Sequence, residues 1–378
     1  MTPTPTPPPP VDHPLEAAPP GPPGVALILS GAARAGSAPP AAEEERADAA
    51  VVARAEARGE LVRLRAGVHV RRAEWEAVSA RERHLLRIRA LARVSSGPIV
   101  LGGASAAAVH GLPRLATWPA LVTLLDVQGI PSGRPAGARV VRDPAHGRSR
   151  LVLAADGVRM PGLAATALAA SHEAAMTAVR GAAPRGPGWF AHGLVALDHA
   201  LAPARARPVT RADLERERGF RGPGPWSRRA EDLVRAADGA AAGPVESVAR
   251  GVAHEAGLAP PAVGVAVGRH GRLALAWARE RVGLRIVGAV ADARTVPDAD
   301  AGADSDADAG PADGRGAGRW RVVVAGEGDV LGAGRLRALL LHAGPEPERR
   351  AARAGAAAVA DPGDGRSRRS PPLGCAGE

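Results

Sequence analysis

The chain has 378 residues, 46% of them hydrophobic, which is enough to bury a sizeable core in two or more domains and excludes disorder throughout. Its formal net charge of +10 rests on 49 basic residues, every one an arginine, because lysine is absent. Planar, permanently ionised guanidinium groups favour phosphate partners over acidic proteins.

Asparagine and tyrosine are also absent, Gln128 is the single glutamine, and Ala, Gly, Pro and Arg dominate, as GC-rich codons would produce. Part of the arginine content is therefore mutational in origin. The lone cysteine, Cys375, excludes a disulfide within the sequence and a cysteine-based zinc site, so a reducing, cytoplasmic setting is expected. The apolar run Val25 to Leu29 is too short for a signal peptide and has no basic residue before it. No stretch is long enough to span a bilayer, and no membrane partner is expected.

Residues 1–42, with Pro7 to Pro10, Pro19-Pro20 and Pro22-Pro23, read as an extended, disordered polyproline-like arm. A helix is predicted from about Glu43 to Arg58, ended by Gly59 as a left-handed cap. The alternating segments Leu61–Leu64 and Val68–Val70, joined by Arg65-Ala66-Gly67, predict a tight hairpin. Helix followed by hairpin is the end of a winged helix, placed at 43–75. Ser79 with Glu82 three residues on predicts a capping box opening a helix that buries Leu85, Leu86, Ile88 and Leu91.

A region 76–240 of mixed α and β character follows. It holds a short helix Ser105–His110 stopped by Gly111 and Pro113, then strands with Gly/Pro turns to about Ala155. Helices are predicted at Phe190–Leu201, at Arg211–Arg218 with Thr210 as cap, and at Arg228–Ala237 with Ser227 as cap. In 243–344, Glu246 begins a helix with Val245, Val248, Val252 and Ala253 on one face. Strands follow at Val263–Val267, Leu273–Trp277 and Leu284–Val287. An acidic insert, 292–318, interrupts this domain as a disordered loop. Order resumes with the strand Arg321–Val324 and a helix Arg335–His342, and 345–378 reads as a disordered tail.

Most motifs that could carry chemistry fail on spacing. Asp304, Asp306 and Asp308 imitate a calcium loop, but Gly310 comes one position late and Arg315 stands where the loop needs Glu. Gly326-Glu327-Gly328 lacks the spacing of a dinucleotide fingerprint. His172-Glu173 and His254-Glu255 open like a metalloprotease motif, yet Met176 and Leu258 occupy the second histidine positions. His192, Asp198 and His199 share a predicted helix, where a spacing of seven puts the two histidines on one side, and histidines on a helix surface read as solvated or hydrogen-bonded groups. Neither a Gly-x-Ser-x-Gly elbow nor a phosphate loop is present.

The run Gly59-Glu-Leu-Val-Arg63-Leu-Arg65-Ala-Gly-Val-His-Val70 resembles the wing of AbiEi-type antitoxins. The resemblance continues through Ser79 to Leu86, Ala104 to Pro113, and Val209 to Leu214. It implies a winged-helix DNA binder that represses its own operon and opposes a nucleotidyltransferase-like toxin. With the helix at the major groove and the wing on the backbone, Arg54, Arg58, Arg63 and Arg65 are the candidate DNA contacts. Equally, these arginines can form an ordinary solvated face.

The segments Gly243 to Ser247 and Gly271 to Trp277 resemble the Vsr-like nuclease domain often fused to this module in actinobacterial proteins. The resemblance implies a restriction-endonuclease-like α/β domain with four carboxylates around Mg2+. Glu246 keeps one of these positions, while Ala274, Arg285 and Val287 occupy the other three. One carboxylate cannot hold magnesium and activate water on it. The expected fold class is mixed α+β, with a winged helix, a middle α+β region and a degenerate nuclease-like domain. The expected function is a non-catalytic, antitoxin-like DNA-binding regulator without a cofactor. Its rivals are a metal-dependent endonuclease recruiting Glu255, Glu280 or Asp292, and a decayed or protein-interaction member of the family.

Overall fold

A computed structural model of the chain describes residues 13–14, 25–30, 44–95, 99–126, 137–143, 145, 147–153, 158–181, 186–288, 320–332 and 334–344. The acidic insert, Asp292, the calcium-like run, the C-terminal tail and Cys375 lie outside these residues, as does most of the proline-rich arm.

Within that arm, β1 (His13–Pro14) pairs parallel with a later strand, and β2 (Leu27–Ser30) is buried, Leu27 being 2% exposed. This corrects the expectation that 1–42 cannot pack. The four residues Leu-Ile-Leu-Ser are too few to show a period, so no element is predicted for them. β3 (Glu44–Ala47) runs parallel to β2 and replaces the first turn of the expected helix. That helix, α1 (Ala49–Ala57), starts only where Asp48 Oδ1 can accept from the amides of Ala50 (2.7 Å) and Val51 (3.4 Å). It ends as expected at Gly59, whose φ of +74° closes a Schellman turn with Glu60 N donating to Ala55 O.

β4 (Leu61–Arg65) and β5 (Val68–Arg71) form the predicted hairpin, and β2 pairs antiparallel with β5, giving the sheet order β3-β2-β5-β4. Val68 and Val70 are fully buried against Leu86 and Ala90. A short helix the sequence did not suggest, α2 (Arg72–Ala77), leads to α3 (Ala80–Val94), where Ser79 and Glu82 make the capping box in full. α4 (Gly103–Val109) is almost wholly buried.

The strands expected as far as Ala155 are β6 (Val122–Asp126), parallel to β7 (Ala138–Arg142), and β8 (Leu151–Leu153), antiparallel to β9 (Arg159–Pro161). Next comes α5 (Leu163–Arg180), 18 residues long and covered by none of the predicted helices. Its alanines let α6 (Trp189–Leu201) approach closely, but a face of small residues gives little amphipathic signal. α7 (Arg211–Phe220) carries the predicted Thr210 cap, reciprocated by Asp213. α8 (Ser227–Ala236) differs: Trp226 is the cap residue, and the Ser227 hydroxyl instead accepts from Gly224 N at 2.7 Å.

The last region begins with α9 (Pro244–Glu255), continues as an antiparallel meander of β10 (Ala262–Ala266), β11 (Arg272–Trp277) and β12 (Val282–Val287), and returns with β13 (Arg321–Gly326) parallel to β12. α10 (Glu327–Leu331) and α11 (Gly334–Ala343) pack with α9 against one face. The whole is a mixed α+β protein. Its core is not cut at residues 240–243: Ala191 and Val195 of α6 belong with Val248, Val252, Leu275 and Trp277, whereas Phe190, Leu194 and Leu197 belong with Leu168, Leu214 and Leu233.

Candidate functional site

α1 buries Val52 and turns Ala50, Val51, Ala53 and Arg54 outward, with Val51 50% exposed. Arg54 is exposed, and its Nε donates to Ala50 O one turn back (3.2 Å). Arg63, at an outward position of β4, is also exposed. The other two candidates are placed differently. Arg58 is exposed but held by Glu60 at 2.6 Å, and that carboxylate is lowered below its ordinary pKa by its hydrogen bond with Arg58. Arg65 is half-buried, its guanidinium lies against Gly137, and burial lowers its pKa. The structure thus brings Arg54 and Arg63 to the surface of one helix–hairpin unit and engages Arg58 and Arg65 within the protein. Further along, Arg71 pairs with Glu74 (3.3 Å) and Arg72 with Glu76 (3.4 Å), diluting the positive charge beside the hairpin.

The nuclease-like position is built on the first turn of α9. Pro244 starts the helix where a missing N–H costs nothing, and Glu246 is 9% exposed. Its carboxylate accepts from Ala242 N (2.8 Å) and is gripped by both terminal nitrogens of Arg272, the first residue of β11, with Nη2–Oε2 at 3.0 Å. That hydrogen-bonded pairing raises the arginine's pKa. Gly264 on β10 makes the room: a Cβ there would stand 3.0 Å from Arg272 Nη2. Ala274 is buried, Val287 is partly buried, and Arg285 donates to the carbonyl of His270.

These residues do not fit a magnesium ion. The one carboxylate at the position is already neutralised by a bidentate guanidinium, and Arg285 stands on the neighbouring strand. Two of the acids considered as recruits, Glu255 and Glu280, stand elsewhere. Glu255, at the far end of α9, accepts from the amides of Gly188 (2.9 Å), Phe190 (2.9 Å) and Ala191 (3.2 Å) and so caps α6. Glu280 lies in the turn after Trp277, beyond the opposite end of a strand that spans roughly 17 Å from Arg272. Among the described residues, no group of three or more His, Cys, Asp or Glu is placed to hold a metal.

The remaining motif residues serve packing. His172 stacks on Trp226 (4.6 Å between centroids) and His254 on Phe190 (3.8 Å). Glu173 pairs with Arg114 at 3.2 Å. Asp198, on the same helix as His192 and His199, is 1% exposed and bound by Arg250 and by the amide of Asp238 (2.9 Å). Sequence reasoning missed Arg272 as the partner of Glu246, because residues 26 apart reveal no contact unless helix and strand are already docked.

Compared with protein-family models, curated proteins and solved structures, the chain matches none. No helix of the described residues is long and apolar enough to cross a membrane.

Proposed function

We propose that the chain is a non-catalytic, antitoxin-like DNA-binding regulator that contacts DNA through α1 and the β4–β5 hairpin. The observation that carries this reading is topological. A helix runs directly into a hairpin whose second strand pairs with a strand preceding the helix, in the order β2-β5-β4, as in a winged helix. In that arrangement α1 would meet the major groove, with Val51 placed for a thymine methyl and Arg54 for a base edge or phosphate, and Arg63 would follow the backbone. The resemblance to AbiEi-type antitoxins adds a nucleotidyltransferase-like toxin as the proposed protein partner. The α9–β10–β11–β12–β13 unit has the helix and mixed sheet expected of a nuclease-like domain, and its Glu246–Arg272 pair supports a docking role over cutting.

The test is binding of the purified protein to its own upstream DNA over a salt series, wild type against Arg54→Ala/Arg63→Ala. Both residues are exposed, so the variant tests contact and not folding. Salt-sensitive, sequence-preferring binding that weakens at least tenfold in the variant is expected. Binding that is absent or unchanged overturns the reading. The glutamate partners of Arg58, Arg71 and Arg72 favour one second reading, a protein-interaction surface, to which that negative result would point.

A further inference from the structure

Away from the hairpin, an open cavity of about 870 Å³ lies between the β8–β9 hairpin, the start of α5 and one face of α7. Four arginines line it: Arg148 and Arg150 from the approach to β8, Arg207 from the loop before α7, and Arg216 from α7. All four are exposed. Two carboxylates share the wall, and each already has work. Asp213 caps α7 through the Thr210 amide (2.8 Å) and pairs with Arg216, while Glu217 accepts from the Ser149 hydroxyl at 2.8 Å. The formal balance of the lining is therefore +2, four arginines against two acids. Val152, Leu163, Val209 and Phe220 supply an apolar wall beside the charges.

We infer that this cavity binds a phosphorylated small molecule of nucleotide size. Three properties combine. Arginines from three separate segments line one cavity, and the planar fork of a guanidinium matches phosphate oxygens. The volume falls in the range of small-molecule sites, and the apolar wall with Phe220 offers a surface for a ring that a bare phosphate would not need. The inference does not rest on DNA binding by the hairpin, since none of its residues belongs to α1, β4 or β5.

Isothermal titration of the full chain with inorganic pyrophosphate, with ATP and with a single-stranded oligonucleotide tests it, using wild type and Arg148→Glu/Arg207→Glu. Both substitutions are at exposed positions, and circular dichroism with thermal melting checks that the variant folds. The expected result is binding of ATP tighter than pyrophosphate, with both weakened at least tenfold in the variant while binding of upstream DNA keeps its sequence preference. Absence of ATP and pyrophosphate binding at millimolar concentration overturns the inference, as does binding that the variant leaves unchanged. Oligonucleotide binding alone, lost in the variant, also overturns it and reassigns the cavity to a nucleic-acid backbone.

Discussion

Arg272 binds both carboxylate oxygens of Glu246, tying the start of β11 to the first turn of α9. The residue that the nuclease resemblance would make a metal ligand is thereby a strut between helix and sheet. Arg272→Ala leaves a buried carboxylate with the Ala242 amide as its remaining described partner, and a loss of about 1–3 kcal/mol is expected in urea unfolding. Glu246→Ala should leave plasmid DNA as intact in the presence of Mg2+ as wild type does. Nicking by wild type that Glu246→Ala abolishes would restore the nuclease reading.

His84 supplies a pH-dependent term. Fully buried on α3, its Nδ1 lies 2.9 Å from the Pro119 carbonyl and its Nε2 2.9 Å from the Ser105 hydroxyl, an arrangement that satisfies the neutral ring. Burial pushes its pKa down to about 4. The unfolded chain, near the ordinary 6.5, then binds the proton first as pH falls, so stability declines from about pH 6.5 to about pH 4, by roughly 3 kcal/mol from this residue. Urea unfolding of wild type and His84→Gln at pH 7.5 and 4.5 measures it. An equal loss in both proteins would refute the assignment.

The contrast between what the sequence shows and hides follows from the range of the interactions. The Ser79 box, the Gly59 turn and the hairpin are local, each set by residues within a few positions, and all were legible. Buried β2 was hidden because its partner β5 lies some 40 residues away, and α5 because alanine marks no face. At the candidate site the arginines could be named, but whether each meets water, a glutamate or a glycine depends on tertiary neighbours. Arg65 shows this, set against Gly137 across 72 positions of sequence, the difference of the two numbers.

Glu255 caps α6 from α9 with three amides on one carboxylate. Glu255→Ala should cost about 2 kcal/mol by loss of these charge-assisted bonds, whereas Glu255→Asp, one methylene shorter, should recover only part. Thermal melting distinguishes the pair, and identical melting of wild type and Glu255→Ala would count against the cap.

Gly251 marks the crossing of α6 and α9: a Cβ there would fall inside van der Waals distance of the Cα and N of Ala191. Gly251→Ala should therefore destabilise the fold by about 1–3 kcal/mol despite its better helix propensity, because two backbones must part. A variant as stable as wild type would show that the helices can slide apart at no cost.

Because α6 gives one face to each half of the molecule, neither half owns it. Cutting the chain near residue 243 would strip Ala191 and Val195 of their covering on one fragment and leave Val248 and Val252 bare on the other. Independent inheritance of the two halves would thus require a replacement for a shared wall. α6 stands between α5, beside the arginine-lined cavity, and α9, whose first turn carries Glu246, so one helix is all that separates the cavity from the strut.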